Sequence, residues 1–180
     1  TISLALLADL LITPALLISV PLITYWDLLS LSMSQQVIDN SPLFKGMTTR
    51  EVKRFALMGH IENEKEGEMI IRQGDSGNSM LLLLKGELTI LVDNAQGISK
   101  KVATVSPGEI IGEMSLLSND IRSASVQAQS DAQLLRIDAR VLDKVDANYP
   151  RLAIKIRKNI ALILVSRLKT SSQNYIRVLE

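Results

Sequence analysis

Hydrophobic and polar positions change rhythm several times along this chain. Residues 2–24, ISLALLADLLITPALLISVPLIT, carry a single charge, Asp9. Twenty-three helical residues at about 1.5 Å each reach about 35 Å, enough to cross a bilayer's hydrocarbon core. Tyr25, Trp26 and Asp27 follow directly, as an interfacial anchor and a polar exit would. A secretory leader is a poor description, because a basic start is missing and the apolar run is too long. Residues 1–26 are therefore expected to form a transmembrane-like helix, the end of a larger membrane region, although the same run would also suit a helix buried in a soluble domain. Pro14 and Pro21 are tolerated in a membrane helix. A carboxylate at Asp9 faces a bundle interior or snorkels to the interface.

Beyond Asp27 the rhythm slackens. Residues 27–40 mix apolar and polar positions without strong charge, a short helix or linker. In SPLFKGMTTREVKRFALMG, Pro42 and Gly46 supply turn chemistry and Thr48 or Thr49 an N-cap. Val52, Phe55 and Ala56 share one face, which predicts a helix over about 49–58. From His60 to Ile137, short apolar runs alternate with Gly, Asn, Asp and Ser clusters, the punctuation of short antiparallel strands in a barrel or sandwich. Gly67, Gly74, Gly77, Gly86, Gly97, Gly108 and Gly112 are read as connectors needing positive φ. The run LLLL at 81–84 is too short for a helix and reads as a strand buried on both faces. Then ARVLDKVDANYP predicts a short helix ending before Pro150. A second helix of about 20 residues starts at that proline. Leu152, Ile156, Ile160, Ile163 and Leu168 form its apolar seam, with Arg151, Lys155, Arg157, Lys158, Arg167 and Lys169 on a face expected to be solvated or to meet a partner.

Composition narrows the function. The 180 residues carry a net charge of +1 and 3% aromatics, which argues against nucleic acid as a partner. There are no cysteines and one histidine, His60, so thiolate or histidine-rich metal sites and cysteine catalysis are excluded. Without a nucleophile–base pair or a Walker-type glycine–lysine loop, the chain does not read as an enzyme, and no cofactor is expected. The first residue is Thr1, and the chain is taken to be a piece of a longer protein.

The chemistry concentrates in GEIIGEMSLLSNDIRSASV, residues 108–126. Arg122 offers a planar fork able to bond two oxygens of a phosphate. A short helix starting near Glu113 would add unpaired N–H groups. Glu113 can accept from a ribose 2′-hydroxyl, Gly112 permits close backbone approach, and Ser123 brings a small hydroxyl. The alternatives are an Arg122 paired with Glu113 for structure alone, or an exposed Arg at a strand start. Glu109 is read as a turn residue, His60 as an ordinary barrel residue, Met58, Met69 and Met80 as core, and Leu116 and Leu117 as packing for the cassette helix.

Together, SPLFKGMTTREVKRFA, EGEMIIRQGDSGNSMLLLLKGELTIL and SPGEIIGEMSLLSNDIRSASV resemble the entry helix, glycine-punctuated strands and phosphate-binding cassette of the cyclic nucleotide-binding domain family. That family includes catabolite-activator-type regulators, kinase regulatory subunits and gated channels. The resemblance implies a mainly β fold with flanking helices, an eight-stranded antiparallel β-roll, over residues 41–168, with 169–180 a C-terminal tail. It implies Gly112, Glu113, Met114, Ser115, Arg122 and Ser123 as contacts to a cyclic nucleotide, and serine at 123 leans toward cAMP over cGMP. The words LALLADLLITPALL resemble the last transmembrane helix of resistance–nodulation–division exporters. The resulting expectation is a regulatory domain, residues 41–180 cytoplasmic, held to the membrane through residues 2–24. A homodimer through the 150–168 helix is a further expectation. Two other readings remain open: a structural or dimerisation module without ligand, and the sensor part of a catabolite-activator-type transcription regulator.

Overall fold

The computed structural model describes residues 33–94, 96–118 and 120–179. The expected membrane segment at 2–24, with Asp9, lies outside the described residues. Among the described residues, no helix is long and apolar enough to cross a membrane.

The chain enters through helix α1 (Gln35–Asn40), a single 3₁₀ turn (Pro42–Phe44) and helix α2 (Thr49–Ala56). Thr48 caps α2 in a reciprocal box: its hydroxyl accepts from the Glu51 N–H, and the Glu51 carboxylate accepts from the Thr48 N–H. Eight strands follow: β1 (His60–Glu64), β2 (Met69–Ile71), β3 (Ser79–Lys85), β4 (Leu88–Asp93), β5 (Ser99–Val105), β6 (Ile110–Ile111), β7 (Ser125–Ala128) and β8 (Ala132–Asp138). The short helix α3 (Glu113–Ser118) separates β6 from β7, and helices α4 (Ala139–Asn148) and α5 (Pro150–Leu179) close the chain. The strands form two antiparallel four-stranded sheets, ordered β1-β8-β3-β6 and β2-β7-β4-β5. This is the eight-stranded roll with flanking helices that the sequence predicts.

The LLLL run shows why the two sheets close into a roll. Alternate side chains of a strand face opposite ways. Met80, Leu82 and Leu84 join a cluster with Phe55, Val141 and Ile156 from the helices, whereas Leu81 and Leu83 face the roll interior with Leu88, Val105 and Val126. Strand β8 repeats the division: Leu135 and Ile137 face the helices, and Ala132 and Leu134 the interior. These two strands are the common wall of two cores, so each carries apolar side chains on both faces. Each fully buried leucine contributes about 1.5–3 kcal/mol from area removed from water. At the opposite margin, β5 is exposed along nearly its whole length and carries Lys100 and Lys101, charges that discourage edge-to-edge pairing.

Helix α5 departs from expectation in three ways. It runs for 30 residues rather than about 20, through the stretch expected to be a tail. Leu152, Ile156 and Ile160 are buried, but Leu168 is 68% exposed. Half of the basic face is also committed within the chain. Lys155 pairs with Glu51, Arg157 with Asp146 and Arg167 with Glu113. Buried Asn159 donates from Nδ2 to the carbonyls of Leu43 (2.8 Å) and Lys45 (2.9 Å), tying α5 to the entry turn. Met58 and Met69 are only half-buried, while Met80 is wholly buried.

Candidate functional site

The cassette folds as a loop that leaves the first sheet at β6, turns through α3 and joins the second sheet at β7. Gly112 makes the turn at φ +75°, where a Cβ would lie 3.0 Å from the Ser79 carbonyl oxygen and against Arg122 Nη1. Gly77 has a different reason to be glycine. It is not among the positive-φ glycines, contrary to expectation, but a Cβ there would come within 2.5 Å of Arg122 Nε and collide with the Ser115 hydroxyl. Gly77 makes room for the guanidinium.

Arg122 is 8% exposed, and its position is heavily determined. Its N–H donates to the Asp75 carbonyl (2.8 Å), and its carbonyl accepts from the Gly74 N–H (2.9 Å). Nη1 donates to the carbonyls of Ser79 (2.8 Å) and Gly112 (3.0 Å) and to the Ser115 hydroxyl (2.7 Å), and Nη2 to the Ser79 hydroxyl (3.1 Å). All four acceptors are neutral. A guanidinium has five N–H groups, so Nε–H and one Nη2–H remain without an acceptor among the described residues. Burial, and next the nearby charge of Arg136, pull the Arg122 pKa below its usual value, with Glu113 and Asp75 pulling the other way at a distance. It remains charged, because an arginine is not neutralised in proteins.

Arg136 sits beside it and differs in one respect. Its Nη1 donates to the same Ser79 hydroxyl (2.6 Å), but its Nε is paired with Glu62 Oε1 (2.5 Å), which raises its pKa. The neighbouring arginine therefore has a carboxylate partner, and Arg122 has none within hydrogen-bonding reach among the described residues.

Glu113 is 1% exposed, and its Oε1 accepts from Nη1 of Arg167 (2.5 Å), 54 residues further on. The same Arg167 donates through Nη2 to the Ile110 carbonyl (2.5 Å). The reading in which Glu113 and Arg122 serve as each other's structural partners does not describe this site. Ser115 is buried against Arg122; Met114 is 53% exposed, and Ser123 is exposed with its hydroxyl 3.8 Å from the Met114 sulfur. All six expected residues line one cavity of about 280 Å³. Its far wall is apolar, with Ile71, Ile90 and Val126 from the second sheet, and Arg167 stands at its edge. This is slightly below the usual range of about 300–1,000 Å³ for small-molecule sites, and it has the usual design of an apolar wall with a few convergent polar groups.

Glu109 accepts from the Ser106 N–H (2.7 Å), a turn role, and His60 is exposed on β1. Leu116 is buried, as expected of the cassette helix, but Leu117 is 41% exposed. Sequence reasoning missed Ser79 altogether and placed Arg167 only on the basic face of the last helix, not at the site. Ser79 offers a weak signal, a small hydroxyl opening an otherwise apolar strand. Arg167 offers another, a cation set between Val165 and Leu168 in an apolar stretch.

Residues 62–149 match the family model described as the cyclic nucleotide-binding domain. The chain is 32% identical over 129 residues to the cyclic AMP receptor protein of Thermus thermophilus, covering 72% of this chain and 58% of that protein. It is 28% identical to the cyclic nucleotide-gated channel beta-3 of Mus musculus, covering 79% of this chain and 21% of the channel. The chain thus spans less than two thirds of the length of these curated relatives. Among solved structures, a cyclic nucleotide-binding domain from Methylobacillus flagellatus superposes with a TM-score of 0.71 at 27% identity, covering 80% of this chain and 79% of that one. With the roll, the cassette and its arginine in place, these likenesses agree: over residues 62–149 the chain is similar in sequence and fold to the cyclic nucleotide-binding domain.

Proposed function

We propose that the cavity beside Arg122 binds a cyclic nucleotide, with cAMP favoured, and that the domain regulates a membrane protein to which residues 2–24 attach it. The observation that carries the reading is the buried Arg122 charge with two unspent N–H groups and, among the described residues, no carboxylate partner in reach. An uncompensated buried charge costs several kcal/mol, and a ligand phosphate offsets that cost. The apolar wall of Ile71, Ile90 and Val126 suits a purine face, and Glu113 suits the 2′-hydroxyl. Ser123, in the family position where threonine accompanies cGMP, supports cAMP. The long apolar run before Tyr25, its likeness to a final exporter helix and the family's occurrence in a channel support the membrane attachment. Ile154, Val165 and Leu168, all exposed on α5, support a homodimer through that helix.

Calorimetry of the 180-residue chain in detergent tests the nucleotide reading. The expected result is saturable binding of cAMP below millimolar Kd, with cGMP weaker. Absence of heat for both at millimolar concentration would remove the reading and leave a ligand-free structural module.

A further inference from the structure

The Arg167–Glu113 pair changes what a ligand must do to enter. Glu113 is almost completely buried, and its Oε1 is already occupied by Arg167 Nη1. The second arm of the same guanidinium holds the Ile110 carbonyl, the last strand before the cassette. One side chain from α5 thus clips the start of the cassette at two points. Its location is also distinctive. Arg167 lines the 280 Å³ cavity, and it lines a neighbouring cavity of about 260 Å³ beneath α5, with Pro42, Asn159, Leu162 and Ile163. The guanidinium is part of the partition between the two. Its own side chain is 40% exposed, whereas that of Glu113 is 2% exposed, so withdrawal is easy for the arginine and not for the carboxylate.

We propose that Arg167 is an internal competitor for the nucleotide's ribose: it holds Glu113 until a ligand hydroxyl takes its place, and its release frees the distal part of α5. This rests on the nucleotide reading of the same cavity and adds a regulatory device to it. A buried carboxylate must have a partner, and the Arg167 guanidinium and a ribose 2′-hydroxyl are rival candidates for that role. A site that is occupied by its own side chain binds ligand with an affinity reduced by the fraction of molecules that are competent. By the same linkage, ligand shifts α5 only because the two states differ in who holds Glu113. Asn159, eight residues earlier, stays bonded to the entry turn, so the motion is confined to the helix beyond it.

The test compares the wild-type 180-residue chain with Arg167→Ala and Arg167→Lys. Arg167→Lys keeps the charge and loses the two-armed fork. Calorimetry with cAMP is expected to give about tenfold tighter binding to Arg167→Ala, with Arg167→Lys between the two. Amide exchange of the nucleotide-free proteins should rise across residues 163–173 in Arg167→Ala, and cAMP added to wild type should raise exchange in the same segment. Equal or weaker cAMP binding by Arg167→Ala, or unchanged exchange over 163–173, overturns the competitor while leaving nucleotide binding intact. No heat from any of the three proteins removes the nucleotide reading and the competitor with it.

Discussion

The two ends of the site are built on opposite plans. At the phosphate end, Arg122 is clamped by neutral acceptors from Ser79, Gly112 and Ser115, and its charge is left unbalanced. At the ribose end, Glu113 is buried and already neutralised, by a residue 54 positions away on another element. The first arrangement fixes geometry and reserves charge. The second spends charge to hold a helix. On the proposed reading, a ligand in this cavity would gain at one end what the protein has withheld and would exchange partners at the other. Affinity would come from Arg122, and transmission along α5 from Glu113.

The largest expected effect separates these roles. Arg122→Leu should weaken cAMP binding more than about 100-fold, since charge-assisted bonds are each worth about 1.5–3 kcal/mol and two are lost. The same substitution should lower the melting temperature of the nucleotide-free chain by less than about 5 °C. Four bonds to neutral acceptors disappear, but so does the cost of a buried unpaired charge. Calorimetry and a thermal melt on one preparation check both halves, and a collapse of the fold would make Arg122 a structural residue.

The unequal legibility of the two ends follows from the same contrast. At the Arg122 end, Gly112, Ser115 and Arg122 lie within eleven residues of sequence and can be singled out by residue type, spacing and family resemblance, whereas Ser79, 43 residues before Arg122, cannot. The two-faced strand β3 is equally readable, because an unbroken apolar run has nowhere to sit except between two cores. Arg167 could not be read this way. Helical periodicity says which residues share a face of α5, not what that face meets, so it places Arg167 on a basic face that is solvated or meets a partner and Leu168 on an apolar seam, without naming what either contacts. Arg167, 40% exposed at its side chain, instead pairs with the buried Glu113, and Leu168 is 68% exposed. Gly77 shows a subtler limit: a turn-like neighbourhood suggests positive φ, whereas the glycine is required by a guanidinium approaching from 45 residues later.

A smaller effect sharpens the ribose end. A ligand lacking the 2′-hydroxyl cannot take Glu113, but it need not displace Arg167 either. In wild type, 2′-deoxy-cAMP should bind only about threefold more weakly than cAMP, because the lost bond and the avoided exchange nearly cancel. In Arg167→Ala the penalty should grow to about tenfold, the ordinary value of a hydrogen bond to a charged group. Equal penalties in the two proteins, by competition calorimetry, would mean that Arg167 and the hydroxyl do not contend for one oxygen.

Arg122 is the group proposed to receive the ligand's phosphate. Side-chain nitrogen NMR of the arginines during a cAMP titration looks at that contact directly. The Arg122 Nε–H resonance, without an acceptor among the described residues, should move strongly downfield and saturate with the same Kd as the calorimetric isotherm. A titration in which cAMP saturates the protein while the Arg122 resonances stay where they are would contradict it.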